Sequence, residues 1–414
     1  MTTILATLTF GLILATSAIN PKNNACPKFN QYPLATLNPK CYVNPDVFSD
    51  VVQVVTRNGY NVKTHSVVTD DGYILTLFEI WGKFKNESKN FTVFLQHGLL
   101  VHSGVWVITG RRSLAFYLAD LGYKVWLGNI RGTLYSQKHV NLTVNDPKYW
   151  NFTLDTVAAK DIKTQLRFVA KTSGLKIHYI GYSMGTTIGL MFLASSGQED
   201  TKSLQSASLF APVAYLNNII ALQLIETPGY LFTKMLTLLN ITGLFYQEKL
   251  IHRVLVSVCK RIPNVCFELL IEGIFGKSTH FSSTDLLLYF GYWPGGVSVN
   301  QIQHYLQLIK SRKFQKFDYG PTENLKEYGT ENPPTYNLSR IKLPVCLFYG
   351  ENDAFYKKEN LERLYNELGS SQKCKYPIPD QTRDYDHVDF LFANSIRTDL
   401  YPILTETLAD VETK

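Results

Sequence analysis

The sequence predicts a mostly parallel β-sheet with helices on both faces, interrupted late in the chain by an inserted helical segment. Three observations predict it. Between about residues 67 and 212, short apolar runs of strand length alternate with stretches of helical period. From 213 to about 340 that rhythm breaks and the pattern is mainly helical. It resumes with Leu343-Pro344-Val345-Cys346-Leu347-Phe348-Tyr349. Strands joined through helices are parallel, and a parallel sheet needs cover on both faces.

The elements follow in order. Phe91 to Leu95 reads as a strand that ends in His97-Gly98. Leu114, Tyr117, Leu118 and Leu121 then fall at i, i+3, i+4 and i+7, one face of a helix, which Gly122 stops. Tyr123 to Leu127 is the next strand and Leu175 to Ile180 the one after it. A turn leads into a helical run from Thr186 to Ala194, followed by a strand from Leu204 to Phe210 that Pro212 halts. Inside the insertion, Leu250, Ile251, Val254, Leu255 and Val258 form an apolar stripe opposite His252, Arg253, Ser257 and Lys260. Ile302, Tyr305, Leu306 and Ile309 form another, while Pro228, Gly229, Asn240 and Pro263 punctuate the region. After Tyr349 come a helix bearing Leu361, Leu364, Tyr365 and Leu368, closed by Gly369, and a last strand near Cys374 to Ile378.

Composition limits the class of protein. The 414 residues are 45% hydrophobic and only 18% charged, enough for a large core and too apolar for disorder. The net charge of +7, from 41 basic and 34 acidic residues, is scattered and forms no stripe for nucleic acid. Ile4 to Ala15 is a mostly apolar run followed by Thr16-Ser17-Ala18, which reads as a signal peptide over residues 1–18. It is too short to span a bilayer, and no later run reaches eighteen apolar residues. Six N-x-S/T sequons, at Asn86, Asn90, Asn141, Asn151, Asn240 and Asn337, fit glycosylation in a secreted or lysosomal protein. The cysteines suit an oxidising compartment too: Cys259 and Cys266 are close enough to bridge locally, Cys26 and Cys41 make a candidate pair, and Cys346 lies in an expected buried strand. With neither C-x-x-C nor H-E-x-x-H present, no metal or cofactor is expected. The expected division is therefore a core of 19–212 and 341–414 carrying a helical cap or lid of 213–340.

The chemistry centres on Gly181-Tyr182-Ser183-Met184-Gly185, between a strand and a helix. A serine hydroxyl is a weak nucleophile and needs an adjacent base. A cramped strand-to-helix turn lifts it above the sheet, and glycine at 181 and 185 removes side chains that would collide there. This turn reads as the nucleophile elbow of the α/β-hydrolase fold rather than as a structural Gly-rich turn, and in that fold the chain order is Ser, then Asp or Glu, then His. After the cap only His387 remains as a base, in Tyr385-Asp386-His387-Val388-Asp389-Phe390. Asp353 leaves the strand Leu343 to Tyr349 through Gly350-Glu351-Asn352 and is the candidate acid, with Glu351 its competitor. Asp386 and Asp389 read as local hydrogen-bonding or surface groups. Backbone N–H groups of Met184, just after the serine, and Leu99, in His97-Gly98-Leu99-Leu100, are the candidate oxyanion donors. His97 reads as an orienting group for that loop.

With these residues placed, the chain resembles the acid lipase family, which includes gastric and lysosomal acid lipases and insect relatives. The resemblance covers nearly all of the chain from about Asn44 onward. It rests on Thr69-Asp70-Asp71-Gly72-Tyr73-Ile74-Leu75, Leu95 to Leu100, Asn129-Ile130-Arg131-Gly132, Phe317-Asp318-Tyr319-Gly320, Pro333-Pro334-Thr335-Tyr336-Asn337 and the His387 block. It implies a catalytic triad of Ser183, Asp353 and His387, an oxyanion hole at Leu99 and Met184, and a cap disulfide between Cys259 and Cys266. It further implies a lipid ester substrate met at a lipid–water interface, namely a triacylglycerol or sterol ester. The chain departs from the common family form in Tyr182 and Met184, where His and Gln are usual. It departs again at Asp386, where Asn is usual and where a carboxylate would favour protonated His387. Two rival readings are a non-enzymatic lipid carrier on the same fold and an esterase for short-chain or hormone-like esters.

Overall fold

A computed structural model describes residues 22–82, 89–379 and 385–413. The expected signal peptide and the Asn86 sequon lie outside the described residues. The centre is a nine-stranded sheet. Its main strands are β1 (Asn61–Val68), β2 (Tyr73–Trp81), β3 (Phe91–Gln96), β4 (Lys124–Gly128), β5 (Lys176–Tyr182), β6 (Leu204–Phe210), β7 (Val345–Tyr349) and β8 (Lys373–Pro377). They lie side by side in the order β1-β2-β4-β3-β5-β6-β7-β8, with the two-residue strand Lys138–His139 beside β2. β2 runs antiparallel to β1 and to β4, and every pairing from β4 through β8 is parallel.

Side chains alternate across this sheet, as the two-residue period of a strand requires. Leu95, Val125, Leu127, Ile180, Phe210 and Phe348 enter one buried cluster, with α1 (Val51–Arg57), α2 (Leu114–Asp120) and the C-terminal helix. Their neighbours Phe94, Trp126, Tyr179, Leu209 and Leu347 enter the other, with α3 (Lys163–Ser173), α4 (Met184–Ser195) and the helix after β7. Both faces are dry. That is why a strand such as Val345 to Tyr349 reads as a continuous apolar run, although β5 and β6 also bury the polar side chains of His178, Ser206 and Ser208.

The parallel register fixes where the site can form. Gln96 pairs with Gly181, Tyr182 with Phe210, Phe210 with Phe348, and Tyr349 with Pro377. The carboxyl ends of β3, β5, β6, β7 and β8 therefore line one edge, where open parallel sheets place their ligands. Above it sit α5 (Ile220–Leu238), α6 (Glu248–Arg261) and α7 (Val299–Ser311), with shorter helical turns between them.

Two expectations for this helical region need correction. α5 runs through Pro228 without a break, so Pro228 does not punctuate it. Gly229 sits against Leu306 of α7, and a Cβ there would lie 3.1 Å from a Leu306 methyl, so these two helices pack closely at that point. The apolar stripe of α6 faces outward in part. Leu250 is 60% and Val254 54% exposed, while Glu248, His252 and Cys259 are buried. By contrast the α7 stripe faces inward and walls a cavity.

Three disulfides join Cys26 to Cys41, Cys259 to Cys266 and Cys346 to Cys374. The last pair are in-register partners on β7 and β8, and Cys346 is half-buried within a strand that is otherwise largely buried.

Candidate active site

Ser183 follows β5 directly and opens α4. Its backbone has φ 54° and ψ −118°, a conformation that side chains rarely adopt and that costs on the order of 1–3 kcal/mol. The turn is packed on every side. A Cβ at Gly181 would lie 2.7 Å from the Gly185 carbonyl, and one at Gly185 would lie 2.4 Å from the Gln96 carbonyl on β3. The expected collision between 181 and 185 is thus present, and a second one, against the neighbouring strand, accounts for Gly185.

The three distant candidates meet here. His387 Nε2 lies 2.7 Å from Ser183 Oγ, and His387 Nδ1 lies 2.7 Å from Asp353 Oδ2. With Asp353 accepting from Nδ1–H, Nε2 is left to accept from the serine hydroxyl. Asp353 Oδ1 accepts from Phe355 N–H at 2.8 Å, which fixes the carboxylate. Asp353 and His387 are buried, while Glu351 is exposed, so the competing acid is not at the site.

Leu99 borders the same space as Ser183 and His387, and Met184 is the first residue of α4. A Cβ at Gly98 would lie 3.0 Å from Ser183 Cβ, which shows how closely the loop after β3 approaches Ser183. His97 donates from Nδ1 to the Gly98 carbonyl at 2.8 Å and accepts from Ile130 N–H at 3.4 Å. Complete burial pushes its pKa down to about 4, so it is a neutral strut for this loop.

Asp386 and Asp389 are both buried, which corrects the surface alternative for them. Each accepts from the other's backbone N–H, at 3.0 and 2.7 Å. Burial first, and then the neighbouring Asp389, drive the Asp386 pKa well up. That direction disfavours the Asp386 carboxylate and so runs against the charge beside His387 that the sequence suggests.

Sequence reasoning missed what the segment 213–340 brings. The Phe275 carbonyl accepts from both Ala354 N–H at 3.0 Å and His387 N–H at 3.2 Å, so one residue of the segment 213–340 bridges the Asp353 loop and the His387 loop. The Phe275 ring lies parallel to the imidazole at 5.8 Å. No periodicity could have revealed a backbone carbonyl in this role. A cavity of about 280 Å³ opens beside Ser183 and His387, walled by Leu222 and Ile225 of α5 and by Ile302, Tyr305, Leu306 and Ile309 of α7. Among the described residues, no cluster of three or more His, Cys, Asp or Glu could hold a metal ion, and no helix is long and apolar enough to cross a membrane.

The fold and this strand-edge arrangement define the class: an α/β hydrolase with a serine, a histidine and an aspartate joined at the carboxyl ends of the sheet. Residues 51–110 match the family described as a partial α/β-hydrolase lipase region, and residues 92–223 match the α/β-hydrolase fold. The chain is 32% identical over 381 residues to gastric triacylglycerol lipase of Bos taurus, covering 89% of this chain and 93% of that protein. It is 31% identical to triacylglycerol lipase 1 of Arabidopsis thaliana, covering 83% and 86%, and 31% identical to lipase 1 of Drosophila melanogaster, covering 89% and 82%. A putative lipase from Sulfolobus solfataricus, 13% identical, shares the fold with a TM-score of 0.54 and coverage of 85% and 95%. The chain belongs to the acid lipase family and is a carboxylic ester hydrolase, a lipase.

Proposed function

We propose that this lipase hydrolyses neutral-lipid esters, triacylglycerols or sterol esters, through an acyl-enzyme on Ser183. The observation that carries the reading is the continuous hydrogen-bonded chain from Asp353 through His387 to Ser183, opening into an apolar cavity. His387 takes the serine proton as Oγ attacks the ester carbonyl, and it then protonates the leaving alcohol. Asp353 fixes the imidazole tautomer and stabilises the imidazolium. The N–H groups of Leu99 and Met184 receive the developing oxyanion, aided by the N-terminus of α4. Water, activated by the same histidine, releases the fatty acid.

Residues 213–340 serve as the cap, and its outer surface adsorbs to the lipid–water interface. Supporting this, α5 exposes Ile220 at 74%, Leu224 at 72% and Leu238 at 87%, and α6 exposes Leu250 and Val254. Exposed apolar faces of this kind mark an interaction surface. Secretion or lysosomal delivery follows from the apolar leader, three disulfides and the sequons, of which Asn90, Asn141, Asn151, Asn240 and Asn337 are exposed. The test compares emulsified triolein with a soluble short-chain ester, with and without an oil–water interface. Turnover of triolein that rises at the interface supports the reading. Turnover confined to the soluble ester overturns it in favour of a short-chain esterase.

A further inference from the structure

Tyr182 stands immediately before the serine, where the family commonly carries a histidine. It is 5% exposed, and it touches three segments that the reaction must hold together. Its hydroxyl donates to the His387 carbonyl at 3.0 Å. Its ring lies 5.2 Å from the imidazole, tilted by 38°. The opposite loop rests on the same ring: a Cβ at Gly98 would lie 3.1 Å from two Tyr182 ring carbons. Trp106 meets the ring edge-on at 6.4 Å and limits its freedom to move.

The main chain of His387 is therefore tied at both polar groups. Its N–H goes to the Phe275 carbonyl of the cap, and its carbonyl goes to Tyr182, next to the nucleophile. Burial raises the Tyr182 pKa well above the ordinary phenol value, so the hydroxyl stays a donor across the working pH range. An imidazole at this position is shorter than a phenol and would not reach as far. The geometry points to Tyr182 as a positioning residue, whose hydroxyl anchors the main chain of His387 while its ring supports the oxyanion loop at Gly98, so that nucleophile, base and oxyanion donors keep one register. Displacing reacting groups by about 1 Å can cost 10²-fold in rate, so a single anchor has kinetic weight.

This inference rests on the Ser183–His387 mechanism, and the experiment separates the two. Tyr182→Phe keeps the ring and removes the donor. Its kcat on a soluble ester and its rate of inactivation by a fluorophosphonate should both fall by about fivefold to tenfold, the size set by one neutral hydrogen bond. KM and the melting temperature should stay close to those of the unaltered protein. Tyr182→His, which carries the common family residue, should show a loss at least as large, and it serves if Tyr182→Phe does not fold. Rates per titrated active site equal to the unaltered protein, or a loss explained wholly by a smaller folded fraction, overturn the role of Tyr182 alone. Absence of labelling at Ser183 in the unaltered protein overturns the mechanism and this inference together.

Discussion

Replacing Asp353 by Asn tests the assignment of the acid. Asn is nearly isosteric and can still accept from Phe355 N–H, so the loop should keep its shape. Its amide nitrogen, however, would face His387 Nδ1, now 2.7 Å from a carboxylate oxygen. Nδ1 would then become the acceptor and Nε2 would carry the proton, leaving the serine without a base. The charge beside the imidazolium would be lost as well. Two opposite charges about 4 Å apart attract by about 4 kcal/mol at an effective dielectric of roughly 20. With the tautomer reversal added, the barrier should rise by about 5 kcal/mol, a loss in kcat of about 10⁴. The assay is hydrolysis of a soluble chromogenic ester, normalised by folded fraction, with Glu351→Gln as control. Glu351 is exposed and away from His387, so Glu351→Gln should keep its kcat. A greater loss in Glu351→Gln than in Asp353→Asn would refute the assignment, as would a loss below about tenfold in Asp353→Asn.

Two further predictions concern the proposed cap. Burial pushes the Glu248 pKa up to about 8 from an ordinary 4.5, so the folded protein favours the protonated form. The stability contributed by that proton is fully present below about pH 4.5 and is lost as pH rises through 8. Glu248→Gln keeps an acceptor for Gly296 N–H, so its melting temperature relative to the unaltered protein should rise between pH 5 and pH 8; an equal difference at both pH values would contradict this. Ile302 walls the cavity of about 280 Å³, and Ile302→Trp should obstruct it. Triolein turnover should fall by at least about tenfold while a short-chain ester is spared, and equal losses on both would show that the cavity does not house the chain.

How much of this was legible in the sequence depended on the physics behind each feature. The parallel strands were legible because burial on both faces favours a continuous apolar run, as in Val345 to Tyr349. The turn at Ser183 was legible because its sterics require glycine, and His387 because position left no other histidine after the cap. β1 was not, because this edge strand carries the polar run Lys63-Thr64-His65-Ser66 and buries little, so neither an apolar run nor an alternation marks it. The choice of Asp353 over Glu351 needs the turn geometry, since both follow the same strand. Periodicity showed that α6 is amphipathic but not which side meets solvent: buried Glu248 and His252 reverse the usual rule, and Glu248 does so by accepting from Gly296 N–H. The pairing of Cys346 with Cys374 needs the strand order. Tyr182 looked like a simple departure from the family because its partner, the His387 carbonyl, is 205 residues downstream.

The most direct test of the account is to treat the purified protein with a fluorophosphonate and map the adduct by peptide mass. One equivalent on Ser183 is expected, together with loss of ester hydrolysis, and Ser183→Ala should take no label and turn over no ester. An adduct on another residue, or full hydrolysis by Ser183→Ala, would contradict the account at its centre.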